Sequence, residues 1–418
     1  MEVDLIIRGG RVIDPANNID DILDVAVKDG KIAALGANLQ VESTTSEYDA
    51  SGLLVTPGLI DLHVHVYEYS TPLGVNPDTS CLARGVTTVV DAGSAGCGTF
   101  PGLRKYIAEK SKTRVLAFLH ISAHGLAAFG CAAGKSTGGE CDAIQHLDVQ
   151  GCLDTVEQNR DLIVGIKIRL TANVADQGRN EHEAYRRALE VSEKTGLPLM
   201  THHTISTVPL HSEDAKELSC PGSLKKGDIY THSFHSFSSS IVDQATKKID
   251  PGVWLAKKRG VIFDVGHGQG SFAWWVAESC AEQNFWPDVI STDLHSGNTM
   301  GPAYDLPIVM SKFYHIGMPI LEVVKAVTAT PAAAVGASDQ IGSLSVGSCA
   351  DITVLREKVV DLELEDTIGE VREVKKLLQP VAVWREGMTH AVTSPPEPFP
   401  NKAILADMMK SAHILANM

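Results

Sequence analysis

Hydrophobic and polar positions divide the 418-residue chain into two styles. Near both ends, short alternating stretches are punctuated by glycine. Leu5-Ile6-Ile7-Arg8-Gly9-Gly10-Arg11-Val12-Ile13 and Asp24-Val25-Ala26-Val27-Lys28-Asp29-Gly30-Lys31-Ile32 stand near the start. Ala350-Asp351-Ile352-Thr353-Val354-Leu355 and Val381-Ala382-Val383-Trp384-Arg385-Glu386-Gly387 stand near the end. Alternation gives a strand one apolar face, and a glycine beside a small polar residue marks a tight turn between strands. The two ends therefore predict one small β-sandwich domain built from both termini, residues 1–56 with 340–395.

Between them, apolar runs alternate with helical patterns, which implies parallel βα units. The runs fall at 59–65, 87–91, 115–121, 162–168, 197–202, 228–232, 261–265 and 289–292. Helix-like segments lie between several of them, at 181–195 for example, and another follows at 321–327. Eight such strands fit a closed α/β architecture, a (β/α)8 TIM-like barrel over 57–339, better than an open sheet. Beyond a Pro-rich stretch, residues 396–418 form a tail in which 402–418 is expected to be an amphipathic helix docking on the barrel or on a partner subunit.

Composition narrows the function classes. A formal net charge of -15 argues against nucleic acid as a partner. No apolar run approaches the roughly 20 residues of a membrane helix. The first residues, Met1-Glu2-Val3-Asp4-Leu5, lack the basic and apolar regions of a signal peptide. Eight scattered Cys with no C-x-x-C pair then read as reduced thiols, so a cytoplasmic protein without a membrane partner is expected.

The chemistry begins at Asp61-Leu62-His63-Val64-His65. Residues two apart on a strand project to the same side, so His63 and His65 leave one strand end together and can share a metal. Taken alone the pair is weak evidence, since two hydrogen-bonded histidines at a barrel mouth would look the same. Other predicted strands also end in titratable groups: Lys167 in Val164-Gly165-Ile166-Lys167, His202 in Pro198-Leu199-Met200-Thr201-His202, His232 in Ile229-Tyr230-Thr231-His232, and Asp293 in Ser291-Thr292-Asp293. In a closed barrel the carboxyl ends of all strands converge on one face, which would collect four imidazoles, a lysine and a carboxylate in one pocket.

This pattern resembles the amidohydrolase superfamily in its binuclear, carboxylated-lysine subtype. The resemblance includes Val55-Thr56-Pro57-Gly58-Leu59-Ile60-Asp61 leading into the two histidines. It extends to Thr328-Ala329-Thr330-Pro331-Ala332 and Gly347-Ser348-Cys349-Ala350-Asp351-Ile352. It implies that His63, His65 and Asp293 hold the more buried of two divalent metals, that His202 and His232 hold the second, and that Lys167 bridges both. A lysine ammonium has no lone pair to give a metal, whereas the carbamate formed with CO2 is an anionic oxygen donor. Two such metals, Zn by ligand type with Mn or Co feasible, would clamp a water and bring its pKa toward neutrality. Asp293 would act as general base and then general acid. His203 is the alternative strand-five ligand, and His235 is expected nearby rather than at the metals.

Dihydroorotases resemble this layout, but their pattern has an Arg two residues beyond the second His, to hold the substrate carboxylate; here that position is Tyr67. The resemblance is nearer to a dihydroorotase-like deacetylase branch, through Val164-Gly165-Ile166-Lys167, Gly227-Asp228-Ile229 and Val265-Gly266-His267-Gly268. That branch implies a small-molecule acyl substrate: acetyl or short acyl groups on α-hydroxy or α-amino carboxylates, acetyl-mandelate-like compounds included. Arg169, two residues after Lys167, could hold the substrate carboxylate bidentately, or pair with a neighbouring acid instead. Tyr67 and His267 are further expected substrate contacts. Alternatives are a cyclic-amide hydrolase on the same site and a catalytically silent metal-binding barrel. Whether the chain forms a homo-oligomer is open at this point.

Overall fold

The computed structural model describes residues 2–127, 138–214 and 216–395. The terminal regions supply strands β1 (Glu2–Asp14), β2 (Ile19–Lys28), β3 (Lys31–Gly36), β4 (Ser43–Asp49) and β5 (Leu54–Pro57). The barrel supplies β6 (Leu59–Val64), β7 (Val86–Gly96), β8 (Arg114–His120), β9 (Ile163–Leu170), β10 (Leu199–His203), β11 (Ile229–Thr231) and β12 (Ile262–Phe263). The chain then returns through β13 (Ile352–Glu365), β14 (Val371–Arg385) and β15 (Met388–His390).

Strands from both ends join one mixed eight-stranded sheet in the order β15-β14-β13-β5-β1-β2-β3, with β4 also on β1. A register shift between Ile7 and Gly10 interrupts β1, whose first half pairs β4 and whose second half pairs β5. Glycine is required there, because a methyl group on Gly10 would fall 2.4 Å from Val55 Cγ2. The core of this sheet gathers Leu5, Val12, Val25, Ile32, Val55, Ile352, Val354 and Trp384. The far half of the β13–β14 hairpin leaves that core: Leu364, Val374 and Leu378 pack into the barrel's hydrophobic cluster instead.

The second sheet runs β6 to β12 in sequence order and is parallel throughout. The expected eighth run pairs as isolated bridges, Val289 with Asp264 on one side and Leu294 with Val64 on the other. His65 N donates to Leu294 O at 2.9 Å, so the ring is closed between its last and first members. The late strands are short for a local reason. His232 and Asp293 both adopt left-handed backbone, with φ of 64° and 47°, and an extended ladder cannot continue through that conformation.

Inside the ring, Leu62, Val90, Phe118, Met200 and Ile229, from five strands, and Val289 from the eighth segment make an apolar plug. This plug forms the floor beneath the polar strand ends. Outside, helices cover the sheet. The helix Glu181–Thr195 carries acids in its first turn and Lys194 in its last, matching the helix dipole. It ends at Gly196 with φ of 74° and buries Ala184, Tyr185, Ala188, Val191 and Ser192 as one face. The tail expected at 396–418 lies outside the described residues.

Candidate metal centre and catalytic cavity

The carboxyl ends of the barrel strands open into a cavity of about 510 Å3. His63, His65, Lys167, Arg169, His202 and Asp293 all line it. One potential ligand atom each from His63, His232 and Asp293 lies within 4.8 Å of the others, close enough for the three to hold a metal ion. His65 Nε2 stands 3.0 Å from Asp293 Oδ1, and the His202 ring lies 4.0 Å, centroid to centroid, from the His232 ring. Four imidazoles, one lysine and one carboxylate thus meet where the sequence pattern converges.

Each ring is oriented by a partner behind it. His232 Nδ1 donates to Gly266 O at 2.7 Å, which turns the lone pair of its buried, unpartnered Nε2 toward the cluster. Thr231 Oγ1 donates to Asp264 Oδ2 at 2.6 Å and so receives the proton of His63 Nδ1 at 2.9 Å, leaving His63 Nε2 as the basic nitrogen. His65 Nδ1 pairs with Ser94 Oγ at 2.9 Å, and Asp91 holds Ser94 through the Ser94 backbone N–H at 2.7 Å. Asp61 accepts from Thr292 Oγ1 at 2.6 Å and from Thr292 N, tying the eighth segment to the first strand. Thr231, Asp264, Ser94, Asp91 and Asp61 had not been singled out as functional residues in the sequence. The signal was present in their placement at or beside the same strand ends as the histidines.

Burial sets the protonation states. It drives His63 and His202 well below the usual imidazole range and His232 down to about 3, so the rings stand neutral with lone pairs to give. It also brings Lys167 down to about 7, against the upward pull of Asp293. Lys167 Nζ reaches only His63 Nε2 and Met200 Sδ, both at 3.4 Å, and no oxygen acceptor among the described residues. An amine so easily deprotonated, without an oxygen acceptor among the described residues and surrounded by metal-type ligands, fits the carbamate that would bridge two ions. The buried His232 Nε2, which has no hydrogen-bond partner among the described residues, fits the same conclusion.

The remaining expected residues fall as follows. His203 points away from the cavity, its Nδ1 3.0 Å from Tyr230 OH and its Nε2 2.8 Å from Val208 O. His235 contacts the His203 carbonyl at 3.0 Å and likewise sits behind. Arg169 meets both expectations: it lines the cavity, and its Nη1 lies 3.2 Å from the buried Glu140 carboxylate. Tyr67 and His267 are not among the lining residues. Tyr67 donates its hydroxyl to Thr99 O at 3.0 Å, and the backbone N–H of Val66 before it donates to Asp91 Oδ2 at 2.9 Å. His267 accepts from Lys312 Nζ at 2.8 Å and stacks on Phe272, which buries it completely beneath the strand-seven loop. That loop reaches the cavity through Gln269, Gly270 and Ser271. Gly268 passes so close to the cluster that a methyl group there would sit 2.6 Å from Asp293 Oδ2.

A closed α/β barrel whose strand ends gather neutral histidines, a carboxylate and a buried lysine defines a metal-dependent hydrolase class. The comparisons with known proteins agree. Residues 277–389 match the model of the Amidohydrolase family. A deacetylase of Agrobacterium fabrum is 35% identical over 84% of this chain and 82% of its own, and one of Enterococcus faecalis is 31% identical over 91% and 97%. A solved structure described as a dihydroorotase is 30% identical with a TM-score of 0.82, covering 94% of this chain and 99% of its own. The chain belongs to the amidohydrolase family.

Proposed function

We propose that the chain hydrolyses acetyl or short acyl groups from small α-hydroxy or α-amino carboxylates. The observation that carries this reading is Arg169, a cation on the cavity wall two residues from Lys167 in the same strand. Residues at that spacing face the same side, so a carboxylate on Arg169 lays the neighbouring acyl group over the histidine cluster. Similarity to deacetylases along most of the chain supports it. Tyr67, at the position where dihydroorotases carry Arg, offers no cation and faces Thr99 instead.

His63, His65 and Asp293 would hold one metal, His202 and His232 the other, and carbamylated Lys167 both. Carbamylation joins the Lys167 Nζ lone pair to the carbon of CO2 and releases one proton, which the low pKa of this amine favours. The metals, when bound, supply an acidified water and polarise the scissile carbonyl. Asp293 takes the proton of the attacking water and delivers it to the leaving oxygen or nitrogen. Arg169 fixes the carboxylate, and Glu140 holds the guanidinium in place.

The test is a panel of O-acetyl α-hydroxy acids and N-acetyl α-amino acids set against dihydroorotate and hydantoins. Acetate release from the first group, lost on removing the α-carboxylate, is expected. Turnover confined to the cyclic amides would replace this reading with a ring-opening hydrolase, and no turnover of either would favour a silent barrel.

A further inference from the structure

His120 has no place in the ligand set, yet it sits against the bridging lysine. It ends β8, and the parallel register pairs its Cα with that of Lys167 on β9. Register partners on adjacent parallel strands project to the same face, so both side chains enter the barrel mouth together. Gly93, on the other side of β8, confirms how close they are. A methyl group on Gly93 would lie 2.7 Å from Lys167 Cγ and 3.2 Å from His120 Cδ2, the ring carbon bonded to Nε2. Glycine at this position, with φ of 85°, is what lets the imidazole and the lysine stem share the space.

The tautomer of His120 is fixed from outside. Ser122 N donates to His120 Nδ1 at 2.9 Å, so Nδ1 is an acceptor and the proton resides on Nε2. That N–H is fully buried and has no hydrogen-bond partner among the described residues. The ring also lies in electrostatic reach of Arg169, Lys167 and His65. A buried donor is rarely left without an acceptor, and the described residues supply none here. A carbamate on Lys167 would supply one, since a carboxylate-type oxygen has a second lone pair with which to accept an N–H.

We infer that His120 is a positioning residue whose Nε2–H donates to a carbamate oxygen on Lys167 and so orients that group. This rests on the two-metal, carbamylated-lysine reading above. It adds a role for the third barrel strand, which contributes no ligand.

The experiment reconstitutes the metal-free full chain with Zn and 13C-bicarbonate, then reads carbamate by 13C NMR and metal by elemental analysis. Wild type is expected to show a carbamate signal and two Zn per chain. His120→Asn keeps an acceptor near the Nδ1 position and loses the far donor. It should melt like wild type but need about tenfold more bicarbonate to reach the same carbamate signal, consistent with the loss of one hydrogen bond around a metal ligand. His120→Gln, whose amide nitrogen reaches the Nε2 position, should restore the wild-type requirement. Equal bicarbonate dependence in wild type and His120→Asn would overturn the inference, as would equal loss in both variants, which would assign the effect to packing. Absence of carbamate from wild type would instead overturn the parent reading. A measurement without variants keeps the question open to refutation if His120→Asn does not fold. The 15N-coupled Nε2 proton of His120 should move downfield when bicarbonate and Zn are added, and a fixed resonance would overturn the inference.

Discussion

Among the described residues two lysines are buried in this barrel, each against a histidine, and their remaining neighbours separate a reactive amine from a structural one. Lys312 Nζ donates to Glu365 O at 2.6 Å, to His267 Nε2 at 2.8 Å and to Pro302 O at 3.0 Å, which uses all three ammonium protons. Lys167 Nζ meets one ring nitrogen and one thioether at 3.4 Å. Burial lowers both, Lys312 to about 8 and Lys167 to about 7. Lys312 is thus a cation with a complete set of acceptors, clamping the tip of the β13–β14 hairpin to the strand-seven loop. Lys167 has no oxygen acceptor among the described residues and four imidazoles around it. A buried lysine becomes a candidate for chemistry through what fails to satisfy it, not through burial itself.

The contrast can be broken most severely at Lys167. Lys167→Met should remove bound metal and reduce hydrolysis to background, with the barrel still folded by circular dichroism; retained metal with substantial turnover would equate the two lysines. Asp293→Asn should keep metal measurable by elemental analysis while lowering kcat by about 10²–10⁴-fold, the usual contribution of a general acid–base group. A near-normal kcat would reject the proton-transfer role. Thr231→Val removes the group that fixes the His63 tautomer and should weaken metal binding by about 10–100-fold in a chelator competition.

Lys312→Met should act on stability instead. Three acceptors lose their partner, and urea unfolding should fall by about 1–3 kcal/mol while turnover stays near wild type. A pH series sharpens this last point. The folded-state pKa of Lys312 lies at about 8, below the ordinary lysine value of 10.5, so the unfolded chain binds more protons on this group between those limits. Its contribution therefore makes wild type gain stability as pH rises through that window. Lys312→Met should lose this gain, and an unchanged slope would show that Lys312 is not charged and buried at lower pH.

Much of the site was legible because strand periodicity and barrel closure are strong constraints. Once His63 and His65 are placed at one strand end, Lys167, His202, His232 and Asp293 must converge with them, and all but His232 are cavity-lining side chains that a sequence pattern can locate. His202 and His203 differ by one residue and therefore by one face, which resolves the pair as soon as the strand is seen. The orienting groups were harder to read. Asp264, Thr231 and His120 resemble ordinary strand residues, and their meaning depends on which neighbouring strand they face. His267 was misleading for the same reason: it follows a barrel strand, but its acceptor nitrogen is claimed by Lys312 from a distant helix. Tyr67 was displaced by a turn just beyond His65, beyond the reach of the strand rule. The terminal sheet was visible as alternating strands, whereas the partner switch of β1 at Gly10 depends on contact with Val55.

The most direct test is a crystal structure of the zinc-reconstituted protein with anomalous data at the Zn edge. Two anomalous peaks flanking Lys167, with three additional atoms of density beyond its Nζ, are expected. A single peak, or a Lys167 side chain ending at a bare amine beside bound metal, would contradict the binuclear assignment.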